Sequence, residues 1–264
     1  MTETVLLKRN DHVAEVWLNR PEKHNAVDLS VFEGLARIGE EIKADPSIRA
    51  VVLAGTGDNF CSGIDTGFFT GAMNPAKLVE QIKTFPDGEV ANMFQKPGYV
   101  WQEIEVPVIA ALQGVTYGAG TQIALGADIR FAAPNTRMSV MEIKWGLIPD
   151  MSITQTLPRL VRMDVAKELV FTGRIVEAEE CAQLGLVTRV VDDPLAEARA
   201  LADVIAGKNP DAIRRDKQLL NDCWLGDAET TLRREAELQA EVIGQPNQLE
   251  AIFAQMQKRA PVFK

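Results

Sequence analysis

Two stretches of this chain share one pattern, and that pattern narrows the fold more than any other feature. Ala50 to Ala54 is apolar without interruption and runs into a turn, Gly55 to Gly63, that carries three glycines. Val108 to Leu112 is equally apolar and runs into Gln113 to Gly118, with a helix expected from Ala119. A strand with no polar side is buried on both faces, so each needs a layer above and a layer below it. A Gly-rich turn opening into a helix leaves the first N–H groups of that helix unpaired, aimed at an anion or a developing oxyanion. Two such groups converging on one point would form an oxyanion hole, each donor contributing about 3–4 kcal/mol in a transition state. Taken singly, each turn is more simply read as a tight strand–helix connection.

The rest of the chain continues the alternation. Val5 to Lys8 and Val13 to Leu18 read as a hairpin turned at Asn10-Asp11. A loop through Pro21 leads to a helix capped by Asp28 or Ser30, with Val31, Leu35, Ile38 and Ile42 on one face, ended by Asp45-Pro46. Residues 67–98 mix Gly, Pro, Asn and aromatics, and only a helix near Ala76 to Lys83 is legible. Asp128 to Ala133 and Met138 to Val140 read as strands. Beyond Pro149, helices are expected over Ser152 to Leu160, Val165 to Phe171 and Glu177 to Leu184, then a strand over Leu186 to Val191. Four helices follow, opened after Pro194, Pro210, Gly226 and Pro246. The expected architecture is an α/β core over residues 1–195 and a helical region over 196–264.

Charge and composition exclude several function classes. Lys plus Arg is 28 and Asp plus Glu is 37, a net charge of -9, which disfavours a nucleic-acid binder. The three cysteines are scattered and two histidines cannot join them in a structural zinc site, so neither a disulfide framework nor a metal is expected. The first residues lack the basic-then-apolar pattern of a secretory leader, and a cytoplasmic location is expected. The uncharged stretch between Glu105 and Asp128 is interrupted by Gln113, Thr116, Thr121, Gln122 and four glycines, so it reads as strand, turn and buried helix rather than a membrane span. Gly118-Ala119-Gly120 begins a dinucleotide fingerprint, but Ile123 stands at its third glycine. Ser62 and Ser139 lack the surround of a nucleophile elbow. Glu142 and Asp150 flank the largely apolar segment Lys144 to Pro149, where a carboxyl of raised pKa could act as acid or base. The plainer readings are a surface Glu and a helix-capping Asp.

Several separated segments resemble one family. Asn19-Arg20-Pro21-Glu22-Lys23-His24-Asn25-Ala26 resembles its NRP-x-x-x-NA loop, and Phe60-Cys61-Ser62-Gly63-Ile64-Asp65 its F-x-x-G-x-D turn. Pro107 to Gly114 followed by Gly118-Ala119-Gly120, Ala127 to Arg130, Gly146 to Pro149 and Leu169 to Arg174 match in the same order. The chain therefore resembles the crotonase superfamily, also called the enoyl-CoA hydratase/isomerase family, from about Thr4 to Lys264. The resemblance implies a spiral of ββα units with a helical C-terminal trimerisation region, and a homotrimer or homohexamer. It implies an acyl-CoA substrate and neither a metal nor a separate cofactor, coenzyme A being part of the substrate.

By position in the family, the backbone N–H groups of Ile64 and Ala119 form the oxyanion hole. Lys23, Asn25, Ala26, Ser62, Gly63, Asp65 and Gly118 would line the acyl-CoA, with Lys23 beside a phosphate. Family hydratases hold a water between two glutamates. Glu142 matches the second, but Gln122 stands at the first, able to contact water or substrate and unable to move a proton. Asp150 matches an aspartate of the dienoyl-CoA isomerases, which also carry an Asp where Gln122 stands. The favoured expectation is a double-bond isomerase with Glu142 as principal acid/base and Asp150 as second. Enoyl-CoA hydration, or acyl-CoA binding without turnover, are the alternatives. Acyl-group choice is expected to depend on residues 67–98.

Overall fold

A computed structural model describes residues 3–67 and 75–264. The large sheet contains β1 (Val5–Asn10), β2 (Val13–Leu18), β3 (Ala50–Gly55), β4 (Val108–Leu112), β6 (Ile129–Ala132) and β9 (Arg189–Val190), in the order β1-β2-β3-β4-β6-β9. Only β1 and β2 pair antiparallel, as the expected hairpin; every other neighbour in this sheet is parallel. A small sheet holds β5 (Val115–Tyr117), β7 (Arg137–Ser139) and β8 (Val176–Glu177), in the order β5-β7-β8. The chain thus alternates between sheets: β4 lies in the large one and β5 in the small one, and β6 and β7 repeat the step.

The helices are α1 (Leu29–Lys43), α2 (Pro75–Lys83), α3 (Lys96–Glu103), α4 (Ala119–Gly126), α5 (Ile153–Thr156), α6 (Met163–Thr172), α7 (Ala178–Leu184), α8 (Pro194–Ala206), α9 (Pro210–Cys223), α10 (Ala228–Val242) and α11 (Pro246–Gln257). The α1 cap is Asp28, whose carboxylate accepts from Val31 N at 3.1 Å. The stretch read against a membrane span forms β4, β5 and α4. Among the described residues no helix is long and apolar enough to cross a membrane.

All residues of β3 and β4 are buried, as their uninterrupted apolar sequence requires. Alternate residues feed two cores. Val51, Leu53, Val108 and Ala110 pack with Leu35, Ile38, Trp101 and Ile123 on one side. Ala50, Val52, Ile109 and Ala111 pack on the other side with Ala198, Ala202 and Ala206 of α8. The first helix of the region expected to begin at 196 therefore covers the second face of the large sheet.

Helix α3 is absent from the sequence reading, because Lys96-Pro97-Gly98 looks like a break. Proline is tolerated in a first helical turn, and Asn92 Oδ1 accepts from Phe94 N and Gln95 N, both at 2.9 Å, just ahead of it. Two further expectations are shortened. Ser152 to Leu160 forms only the one-turn α5 and a 3₁₀ turn, and the strand over Leu186 to Val191 pairs only at Arg189–Val190.

Candidate active site

The two Gly-rich turns meet. Tyr117 N donates to Cys61 O at 2.9 Å and Cys61 N donates to Val115 O at 3.1 Å, a two-residue parallel bridge between them. On its other side the first turn is tied to Val27, which donates to Gly63 O at 2.8 Å and accepts from Asp65 N at 2.9 Å. These bonds straddle Ile64 and leave its N–H unused. Ala119 is the first residue of α4, where an N–H has no partner within the helix. Among the described residues neither Ile64 N nor Ala119 N donates to a protein acceptor. Gly120 permits the approach: a Cβ there would lie 2.5 Å from Cys61 O. Gly118, at φ 50° and ψ −116°, turns β5 into α4 through a conformation open to little but glycine. Burial pushes the Cys61 thiol up to about 12, so it is no nucleophile beneath this site.

Glu142 opens a 3₁₀ turn, Glu142–Trp145, directly after β7 and facing the start of α4. Gln122 Nε2 donates to Glu142 Oε1 at 2.7 Å, and Met151 N donates to Gln122 Oε1 at 2.8 Å. A backbone N–H can only donate, so it turns the Gln122 oxygen toward Met151 and the amino group toward Glu142. Gln122, expected to contact water or substrate, is thus bound to the acid itself, with one N–H hydrogen remaining for a ligand. Among the described residues, Glu142 Oε2 is buried with no hydrogen-bond partner. Burial raises the Glu142 pKa above the ordinary carboxyl value. The bond from Gln122 opposes that rise, and the charge of Asp150 adds to it. Burial also raises the Asp150 pKa, although part of this side chain remains open to solvent. The residue at the cap position of α5 is Ser152, so Asp150 does not cap that helix.

Ile64, Ala119, Glu142 and Leu147 line two adjoining cavities. One, of about 460 Å³, is also lined by Lys23, Ala26, Ser62, Gly63, Asp65 and Gly118, and so collects most of the expected acyl-CoA residues. The other, of about 360 Å³, is walled by Phe32, Leu78, Ile82, Phe94 and Met151 and receives Gln122 and Asp150.

Asn25 is the exception. It does not line either cavity and is fully buried. Its Oδ1 accepts from Arg20 N at 2.8 Å, and its Nδ2 donates to Thr56 O at 2.9 Å and Asn59 O at 2.8 Å. These bonds hold His24 and Asn25 at φ 50° and 56°, a left-handed pair that asparagine tolerates better than most residues. Asn25 is the staple between loop and turn. Asp65 lines the cavity but is also tied down, accepting from Gly67 N at 3.0 Å and Arg20 Nη2 at 3.1 Å. The Gly67 N–H, with Arg20, holds its carboxyl below the usual range.

A family model described as enoyl-CoA hydratase/isomerase matches residues 8–264. The chain belongs to that family. It is 32% identical to the short-chain-enoyl-CoA hydratase of Clostridium acetobutylicum, over 97% of this chain and 95% of that one. It is 35% identical to the (E)-benzylidenesuccinyl-CoA hydratase of Thauera aromatica, over 81% and 80%. The crystal structure of an enoyl-CoA hydratase from Bacillus anthracis superposes with a TM-score of 0.89 at 32% identity, covering 99% of both chains.

Within this enoyl-CoA hydratase/isomerase fold, several lining residues escaped the sequence reading. Lys144 and Trp145 join the larger cavity, although in sequence their segment reads as a largely apolar spacer between two acids. Phe32, Leu78, Ile82 and Phe94 join the smaller one from three separate parts of the chain. The apolar face read for α1, Val31, Leu35, Ile38 and Ile42, does not single out Phe32, and no local signal marks the others as lining.

Proposed function

We propose that this protein moves a carbon–carbon double bond along an acyl-CoA, converting 3-enoyl or 3,5-dienoyl thioesters into their conjugated isomers through an enolate. One observation carries the reading. Among the described residues, the carboxyl that matches the family's acid/base has one oxygen without a hydrogen-bond partner, and the residue bonded to its other oxygen, where the family's hydratases carry their first glutamate, is an amide fixed as a donor.

The thioester oxygen sits against the N–H groups of Ile64 and Ala119. Glu142 Oε2 takes a proton from C2, and the C–H electron pair passes into the carbonyl to give a dienolate. Returning a proton at C4 leaves the 2-enoyl product, with no atom gained or lost. In a 3,5-dienoyl substrate the proton returns at C6, further along the chain, where Asp150 is the second acid. Hydration of a 2-enoyl-CoA is the second reading, favoured by the names of the relatives. It would need Glu142, alone or with Asp150, to activate the water and supply the proton, since Gln122 does neither.

The assay offers 2-enoyl-, 3-enoyl- and 3,5-dienoyl-CoA to the purified protein and follows mass and ultraviolet absorbance. An absorbance change at constant mass on the latter two is the expected result. Gain of one water's mass on the first, without isomerisation, would replace this reading with the hydratase. We further propose a homotrimer or a pair of trimers. Leu220, Leu232, Phe253 and Met256, exposed on the C-terminal helices, and Trp224, exposed just after α9, support it. A monomeric mass by light scattering would reject it.

A further inference from the structure

The two cavities that meet at Glu142 differ in the charges they carry. Lys23, His24 and Lys144 all line the larger one. Among the described residues the smaller one is lined by no Lys, Arg or His, and its charged side chains are Glu142 and Asp150. Its walls are aliphatic and aromatic, with Phe32 and Phe94 in edge contact at 5.4 Å between ring centres. Its volume of about 360 Å³ would take about a dozen groups the size of a water or a methylene at liquid density.

We propose that the smaller cavity is an acyl-chain subsite selective for uncharged chains of medium length, and that Glu142 and Asp150 together exclude acyl groups bearing a second carboxylate. The inference rests on the acyl-CoA reading above and adds the class of acyl group. An apolar chain entering this space removes its methylenes from water against Leu78, Ile82 and the two phenylalanines. A terminal carboxylate entering the same space would lose hydration, gain no cation and face two acids. Leu78 and Ile82 come from α2, within the segment 67–98 on which acyl-group choice is expected to depend.

The test is calorimetric binding of unreactive saturated thioesters to the intact protein: butyryl-, hexanoyl-, octanoyl- and adipoyl-CoA. Affinity is expected to rise with length by up to about fourfold per added methylene. Adipoyl-CoA, with the same six carbons as hexanoyl-CoA, is expected to bind at least about tenfold more weakly. Leu78→Trp should weaken octanoyl-CoA more than butyryl-CoA. Affinity independent of length, or adipoyl-CoA binding as well as hexanoyl-CoA, would overturn the inference. Equal loss for both chains in Leu78→Trp would place the subsite elsewhere and overturn it too. Length-dependent binding with no turnover of any enoyl thioester would remove the proposed reaction and leave this inference standing. Turnover with length-independent binding would do the reverse, and no acyl-CoA binding at all would end both.

Discussion

The space on the Lys23 side of Glu142 and the space on the Phe94 side share four wall residues and little else. The first is built from loops, namely the turn before α1, the turn after β3 and the 3₁₀ turn after β7, and it carries charges of both signs. The second is built largely from helix faces and core side chains, and its charges are acidic. Loops present backbone N–H groups and mobile charged side chains, which suit a polar, anionic ligand portion. Packed helices present branched and aromatic carbon, which suits a hydrocarbon. The reacting centre lies where the two kinds of wall meet, so substitutions at the junction should act on chemistry and substitutions in either wall on binding.

The largest expected effect is at the junction. Glu142→Gln keeps an oxygen to accept from Gln122 but cannot take a proton. Turnover of 3-enoyl-CoA should fall by roughly 100- to 10,000-fold, while calorimetric affinity for a saturated acyl-CoA stays within a few-fold. Full activity would reject this carboxyl as the acid/base. Ala119→Pro is next. Proline is accommodated at the first position of a helix and removes one N–H. Loss of a single oxyanion donor should lower kcat by about 100- to 1,000-fold. Unchanged kcat with an intact circular dichroism spectrum would move the oxyanion elsewhere.

The difference between the walls also explains what the sequence revealed. β3 and β4 were legible because each is a short all-apolar run that ends in a Gly-rich turn, and α1 because Val31, Leu35, Ile38 and Ile42 repeat on one face. The junction was legible because it is local: each turn carries its own glycines, and the acids flank one short segment. The apolar cavity was not, because Phe32, Leu78 and Phe94 converge only after folding and each looks like ordinary core. Helix α3 was hidden by Gly98, which reads as a breaker. A Cβ there would lie 2.4 Å from Met151 O, so that glycine is a close packing contact. Asn25 was legible as part of a motif, but a motif match does not say whether a side chain faces the ligand or the scaffold.

A smaller effect separates the polar wall from the junction. Lys23 and Lys144 make no ion pair among the described residues, and both line the loop-built cavity. Exposed charge pairs contribute roughly 0.2–1 kcal/mol, so Lys23→Ala and Lys144→Ala should each raise KM up to about fivefold with kcat unchanged. Added salt should shrink that difference. A fall in kcat without a change in KM would place these lysines at the chemistry rather than on the carrier portion of the substrate.

The smallest effect is on stability, and its sign should reverse between the two walls. Asp65, in the polar cavity, has a folded pKa below its unfolded value because it accepts from Gly67 N–H and Arg20. It contributes stability above the unfolded pKa, and this is lost as pH falls through the folded one. Asp150, in the apolar cavity, has a folded pKa raised by burial. Its folded form binds the extra proton, so stability declines as pH rises from the unfolded pKa through the folded one. At neutral pH, Asp65→Asn should therefore lower Tm and Asp150→Asn should raise it. The rise should be the smaller of the two, because solvent reaches Asp150 and screens its charge. A shift of about 1–3 °C is the scale for a fraction of a kcal/mol to about 1 kcal/mol in a chain of this size. On acidification the Asp150 gap should close as the carboxyls of the unfolded chain become protonated, whereas the Asp65 gap should begin to shrink there and close only at lower pH, through its lowered folded pKa. Calorimetric scans of the two variants against the parent protein from pH 7 downward read the result. Shifts of the same sign would mean that the two cavities treat a negative charge alike, and the electrostatic difference between the walls would no longer stand.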